Sequence, residues 1–100
     1  MRRGEVWTVV RLGHERKVII VGHDGVTARR SGALVVPISD VAPSEIVEPV
    51  VADTDGVTLG VAQVPRVGEV HKDYLKSRAG ALAPASAEIV DMALRVALAL

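Results

Sequence analysis

The run GHERKVIIVGHDG, residues 13–25, carries two of the chain's three histidines, His14 and His23, on either side of four consecutive β-formers. Glu15, Arg16 and Lys17 stand immediately before those β-formers, and Asp24 follows them. Imidazoles and fixed cations grouped around one rigid strand are what a site that handles phosphate requires. A guanidinium offers a planar fork of N–H donors to phosphoryl oxygens. An imidazole takes up or delivers a proton near neutral pH. The same run also reads as a polar turn on each side of a buried strand. Residue types alone leave both readings open.

Other chemistry is excluded more readily. The chain has no cysteine, so disulfides, thiolate metal sites and thiol nucleophiles are ruled out. Histidines at 14, 23 and 71 lack the spacing of a metal site and the nearby acids read as turn residues, so no metal or other cofactor is expected. GHDG and GVTLG do not match the glycine-rich strand-to-helix pattern of a phosphate loop, and there is no Gly-x-Ser-x-Gly elbow.

Formal net charge is zero but unevenly spread. Residues 1–30 hold seven Lys/Arg and three acids, residues 31–60 five acids and no base, and residues 61–100 five bases and four acids. Neutrality argues against broad nonspecific nucleic-acid binding, while a local basic patch from the first third stays open beside the reading of solvated loop charges. No stretch approaches the roughly 18 apolar residues that span a bilayer, and MRRGEVW has no signal-like apolar run behind it. The expectation is a cytoplasmic protein with no membrane partner. Apolar residues make up 49% of the chain with a mean hydropathy of +0.32, more than a lone domain of 100 residues readily hides. A partner surface, most simply a homodimer, is therefore expected.

These residues need elements to hold them. Residues 4–10 alternate and read as a first strand, RLGHER as a short polar connection, and residues 17–22 as a second strand. Its VIIV core is apolar on both faces, as expected of a strand covered on two sides. HDGVTARRSG reads as a loop opened by an Asp-Gly turn, and ALVVPIS as a third strand with Pro37 near its end. Residues 46–52 read as a fourth strand with Pro49 marking an edge, DTDG as a hairpin turn, and residues 57–62 as a fifth strand. A further strand is expected over 64–70, and HKDYLKSR reads as a helical turn stopped by Gly80. The C-terminal segment predicts a helix with Ser86 as N-cap and Pro84 just outside it. Ile89, Ala93, Val96 and Leu100 would line one face, with Val90, Leu94 and Leu98 beside them, and Asp91–Arg95 would form an i,i+4 pair. Short strands followed by one amphipathic helix predict a β-rich α+β fold, a small bent β-barrel packed on a helix, as one domain over 1–100.

Laid in order, these segments resemble the MazF/PemK-like toxin family. MRRGEVW is similar to its Arg-Gly-acid-apolar-Trp opening, and GHE with RKVIIVGHD to its Gly-x-Glu and Arg-Pro-plus-strand segment. LVVPIS resembles its Val-Val-Pro-Ile-Thr strand, and residues 60–75 align without a gap on a further family segment ending in Leu. GAL at 80–82 and the terminal helix also fit. The resemblance implies an SH3-like plasmid-maintenance barrel and a homodimeric, metal-independent endoribonuclease of a type II toxin–antitoxin system. It implies cleavage of single-stranded RNA through the ribose 2′-hydroxyl, and inhibition by a cognate antitoxin with an acidic segment. A DNA gyrase poison on the same fold and a noncatalytic interaction module are the rival readings.

The resemblance also assigns residues. Arg16 falls at the family's catalytic arginine, where it would face charge building on phosphoryl oxygens; otherwise it is a surface arginine at a strand entrance. His14 matches the histidine of Gly-His-Glu and would move a proton, and Ser39 stands at the family's Thr, its hydroxyl bonding phosphate or capping the turn into Asp40. Glu15 would position Arg16 or act as base, and His23 would flank the site. Arg29 and Arg30 would track an RNA backbone, and Arg66 would add a second phosphate cation. Trp7 reads as a core or dimer anchor. Lys17 departs from the family's Pro, the first inter-strand loop is several residues shorter, and Arg66, Gly68 and His71 stand at the family's Gln, Arg and Asp.

Overall fold

Val18, Ile19, Ile20 and Val21 cannot hide on one face of a strand, because successive side chains point to opposite sides. The fold covers both. In the computed structural model, which describes residues 1–42 and 47–99, Val18 and Ile20 enter one apolar cluster with Ala33, Val35 and Leu75. Ile19 and Val21 enter a second with Val6, Val36, Val51, Val90 and Leu94. Ile19 and Ile20 are 1% and 0% exposed.

The strand that carries these residues is β2 (His14–Ile20), hydrogen-bonded antiparallel between β1 (Glu5–Arg11) and β3 (Gly32–Ser39). Further elements are α1 (Asp24–Arg29), β4 (Val50–Ala52), β5 (Thr58–Ala62), β6 (Gly68–His71), β7 (Leu75–Ala81) and α2 (Pro84–Ala97). The sheet runs β4-β5-β3-β2-β1-β7, with β6 also paired to β3. Its two ends meet: Asp53 bridges Leu82, and the Ala83 N–H donates to the Ala52 carbonyl at 3.0 Å. That contact curls the sheet into a half-barrel whose outer layer is α2, packed through Val90, Ala93 and Leu94.

Several expected elements differ. The first connection is only Leu12 and Gly13, so His14, Glu15 and Arg16 belong to β2 and not to a loop. The stretch read as a loop after the second strand contains α1, capped by the imidazole of His23, which accepts from the Gly25 N–H at 3.1 Å. The fourth strand is confined to Val50–Ala52, after Pro49, and its expected start at Ile46 lies outside the described residues. Pro65 breaks the expected strand over 64–70 into a 3₁₀ turn (Val64–Arg66) and β6. Only Lys72–Tyr74 of HKDYLKSR is helical; His71 ends β6 and Leu75–Arg78 belong to β7, where pairing with β1 overrides a polar pattern typical of an exposed edge.

The terminal helix begins at Pro84, whose missing N–H is harmless in the first turn. Ser86 is therefore inside the helix and buried, and its hydroxyl accepts from the Ala52 N–H at 3.0 Å. Ile89 and Val96 face outward, at 46% and 65% exposure, so the buried stripe is one position round from the expected one. Asp91 pairs with Arg3 at 2.6 Å in place of Arg95, and Leu100 lies outside the described residues.

Glu5 ties the N-terminal strand together. Its carboxylate accepts from the Arg2 N–H at 2.8 Å and from the Trp7 indole N–H at 3.2 Å, and faces the Arg78 guanidinium at 2.8 Å. Trp7 is thereby held half-buried against the Val18–Ile20 cluster, as a core anchor. Burial alone pushes the Glu5 carboxyl up, but these donors and the arginine outweigh it and hold it below 4.5, the ordinary value. Since the folded-state value is depressed, the stabilisation is present above 4.5 and lost as pH falls through the folded value. Glu5→Gln should lower unfolding free energy by about 1–2 kcal/mol at neutral pH, with the gap narrowing under acid. Urea unfolding at both pH values measures this; a gap that widens in acid contradicts the assignment.

Candidate active site

Leu12 and Gly13 both have positive φ, 52° and 78°, the backbone of a two-residue primed turn that matches the twist of a hairpin. So short a turn sets the register: Arg11 pairs with His14 and Val9 with Arg16. Paired residues share a face, so Val9, Arg11, His14, Arg16 and Val18 all present to the same side of the ribbon. Val35 and Pro37 of β3 and Val70 of β6 continue that face.

Together they form an open concavity of about 630 Å³ with an apolar floor of valines and Pro37. Arg11, His14, Glu15, Arg16, Arg66 and Glu69 line it as well. Arg16 also lines an adjacent cavity of about 260 Å³ with Glu15, Lys17, Ser39 and Asp40. With Glu15 it forms the shared wall between the apolar-floored groove and a polar notch. The Ser39 hydroxyl oxygen accepts from the Val41 N–H at 3.1 Å, which caps the strand end and leaves the hydroxyl hydrogen to donate elsewhere.

Charge pairing distinguishes the arginines of the groove from three others. Arg3, Arg30 and Arg78 each face a carboxylate at 2.6, 3.0 and 2.8 Å. Arg11, Arg16 and Arg66, which line the large concavity, have no carboxylate partner among the described residues. Glu15 and Glu69 share this lining, but Glu69 is paired with Arg30, so the three guanidiniums leave the hollow with an excess of positive charge that favours an anionic occupant. Among the described residues no three His, Asp or Glu side chains converge as metal ligands.

The fold thus brings together His14, Glu15, Arg16 and Arg66, with Ser39 next door. It does not bring in the others. His23 and Arg30 line a separate cavity of about 310 Å³ beside Leu34, where Arg30 is occupied by Glu69, and Arg29 is exposed on the last turn of α1. Sequence reasoning missed Arg11. The signal was present in the turn: with Leu12-Gly13 as the whole connection, Arg11 must sit opposite His14.

Residues 2–98 match the family model described as PemK-like, MazF-like toxin of type II toxin-antitoxin system. No curated protein matches the chain. Among solved structures, the fold is similar to an endoribonuclease in complex with its cognate antitoxin from a mycobacterial species, with a TM-score of 0.89 at 20% identity, covering 100% of this chain and 96% of that one. It is also similar to MazF in a MazE-MazF complex from Deinococcus radiodurans, at 0.85 and 13% over 100% and 96% of the two chains. The Mycobacterium tuberculosis toxin MazF-mt6 follows at 0.78 and 17%, over 96% and 97%. At such identities the likeness to these structures is one of fold.

A leucine at φ 52° is strained, since its Cβ crowds the following carbonyl. Leu12 is also 92% exposed, so its side chain contributes little packing in return. Leu12→Asn should raise stability by about 0.5–1 kcal/mol, because asparagine tolerates this region. A rise in the urea midpoint at unchanged slope checks it.

Proposed function

This chain belongs to the PemK-like, MazF-like toxin family of type II toxin–antitoxin systems, and from that premise we propose that it is a metal-independent endoribonuclease acting on single-stranded RNA. The observation that carries this reading is an unpaired Arg16 forming, with Glu15, the common wall of an open groove and a notch that also holds Ser39. Support also comes from the endoribonuclease names of two structural neighbours.

In the proposed reaction the ribose 2′-oxygen forms a bond to phosphorus, its proton passes to a base, and the bond to the 5′-oxygen breaks with a proton delivered to that oxygen. The products are a 2′,3′-cyclic phosphate and a 5′-hydroxyl. Charge accumulates on the non-bridging oxygens, which the Arg16 fork stabilises. His14 shares a face with Arg16 and moves one of the protons. Ser39 donates its free hydroxyl hydrogen to the same phosphate from the notch. Arg66 holds a flanking phosphate and Glu15 orients Arg16. His23, Arg29 and Arg30 stand outside this groove and carry no role in the step.

The wider setting is proposed in the same terms: one toxin domain over 1–100, a cytoplasmic homodimer, and a cognate antitoxin whose acidic segment answers the unpaired arginines. Apolar side chains left outside the cores, Ile89, Met92 and Val96 on α2 and Val50 on β4, support a partner surface. No described helix is long and apolar enough to cross a membrane. A gyrase poison is not favoured, since the neighbours named for an activity are endoribonucleases.

Cleavage of single-stranded RNA in EDTA tests the reading. Wild-type protein should cut and leave cyclic-phosphate ends. Arg16→Ala should lower kcat by about 10²–10³-fold, the usual cost of removing one transition-state donor. His14→Ala should lose about 10²-fold or more. Folded wild-type protein that cuts no RNA, or trapped gyrase–DNA complexes instead, would turn the assignment to one of the rivals.

A further inference from the structure

Tyr74 is one of only two aromatic residues in the chain apart from histidine, and it is left 38% exposed. The 3₁₀ turn Lys72–Tyr74 presents it beside the groove, anchored by the buried Leu75 that follows. The Arg11 guanidinium lies over its ring at 5.3 Å from the centroid, and the His71 ring meets its edge at 6.5 Å and 81°. A guanidinium held over an aromatic face loses freedom before any ligand arrives, yet keeps N–H donors available.

Arg11 meets three further conditions. It lines the same concavity as Arg16 and Arg66. Its guanidinium has no hydrogen-bond or carboxylate partner among the described residues. Its cross-strand partner is His14, so Arg11 and Arg16 are diagonal neighbours on one face of the hairpin, about 7–8 Å apart at the backbone. Adjacent phosphates of an extended strand are separated by a comparable step.

We propose that Arg11, held over the Tyr74 ring by a cation–π contact, is a second phosphate-binding cation of the groove, engaging a phosphate next to the one that Arg16 faces. The assignment rests on the RNA-cleaving reading and adds to it a residue that acts in substrate binding and not in the chemical step. Tyr74 is a positioning residue: it touches no RNA and acts through Arg11.

Binding of a random-sequence oligoribonucleotide pool with 2′-O-methylated riboses, which cannot be cleaved, tests this across a series of salt concentrations. Arg11→Gln should weaken binding about 5–10-fold and make the slope of log K against log salt shallower by about 0.7, the contribution of one phosphate contact on a single strand. Tyr74→Leu should weaken binding in the same direction but less, and Tyr74→Phe, which keeps the ring, should restore it. With cleavable RNA, Arg11→Gln should raise KM with kcat within about twofold, whereas Arg16→Ala lowers kcat. Thermal unfolding of each variant reports folding. An unchanged salt slope in folded Arg11→Gln, or a Tyr74→Phe variant as weak as Tyr74→Leu, overturns the proposal while leaving the Arg16 reading intact. Wild-type protein that binds no oligonucleotide overturns both together.

Discussion

The structure depends on burying a four-residue apolar run on both faces at once. Val18 and Ile20 require one hydrophobic layer and Ile19 and Val21 another, so β2 can exist only as an inner strand between two packed surfaces. A slip of one residue would exchange those layers and send Arg16 and His14 to the wrong side. The register that satisfies the apolar residues is thus the same register that turns the titratable ones toward the groove. Core packing and site geometry are one constraint on this strand.

That constraint explains what was legible. Alternation identified β1, apolar runs identified β2 and β3, and the DTDG turn identified the hairpin into β5; period identified α2. What the patterns missed was decided by non-local partners. Lys76, Ser77 and Arg78 look like a polar helical turn, yet they pair with β1 as an exposed edge strand. Ser86 is a good cap by local rules, yet it lies inside the helix because its hydroxyl answers the Ala52 N–H across the molecule. Asp91 had Arg95 within reach on its own helix, but the N-terminal Arg3 takes it. Local propensity is a weak prior wherever a long-range partner can satisfy the same group.

The candidate site was partly legible for a related reason. His14, Glu15, Arg16 and Arg66 were singled out from residue type and resemblance, and the fold gathers them around one hollow. His23, Arg29 and Arg30 were singled out from the same cues; His23 and Arg30 line a different cavity and Arg29 is exposed at the end of α1. Residue type names a capability; only register and pairing state decide whether a cation faces an occupant or a carboxylate. Arg30 illustrates this. Gly32 leaves the space that the Glu69 side chain fills, because a Cβ there would lie 2.6 Å from Glu69 Cγ. Glu69 then reaches Arg30 and pairs with it at 3.0 Å.

The strained Leu12-Gly13 turn connects these observations. A longer connection would leave room for chain above the concavity and would relax the pairing at its end. The two-residue turn does the opposite. It extends ordered pairing to Arg11 and His14, and leaves the groove open on the hairpin side. In the proposed reading an open groove has less chain with which to grip a substrate, and affinity comes from charges on the ribbon itself. Arg11 held over the Tyr74 ring is such a charge, and it is available only because the shortened turn brings it into register with His14. The tight turn and the Arg11–Tyr74 contact are therefore one arrangement: the two-residue connection keeps the ribbon ordered as far as Arg11, and that order sets the guanidinium over the ring.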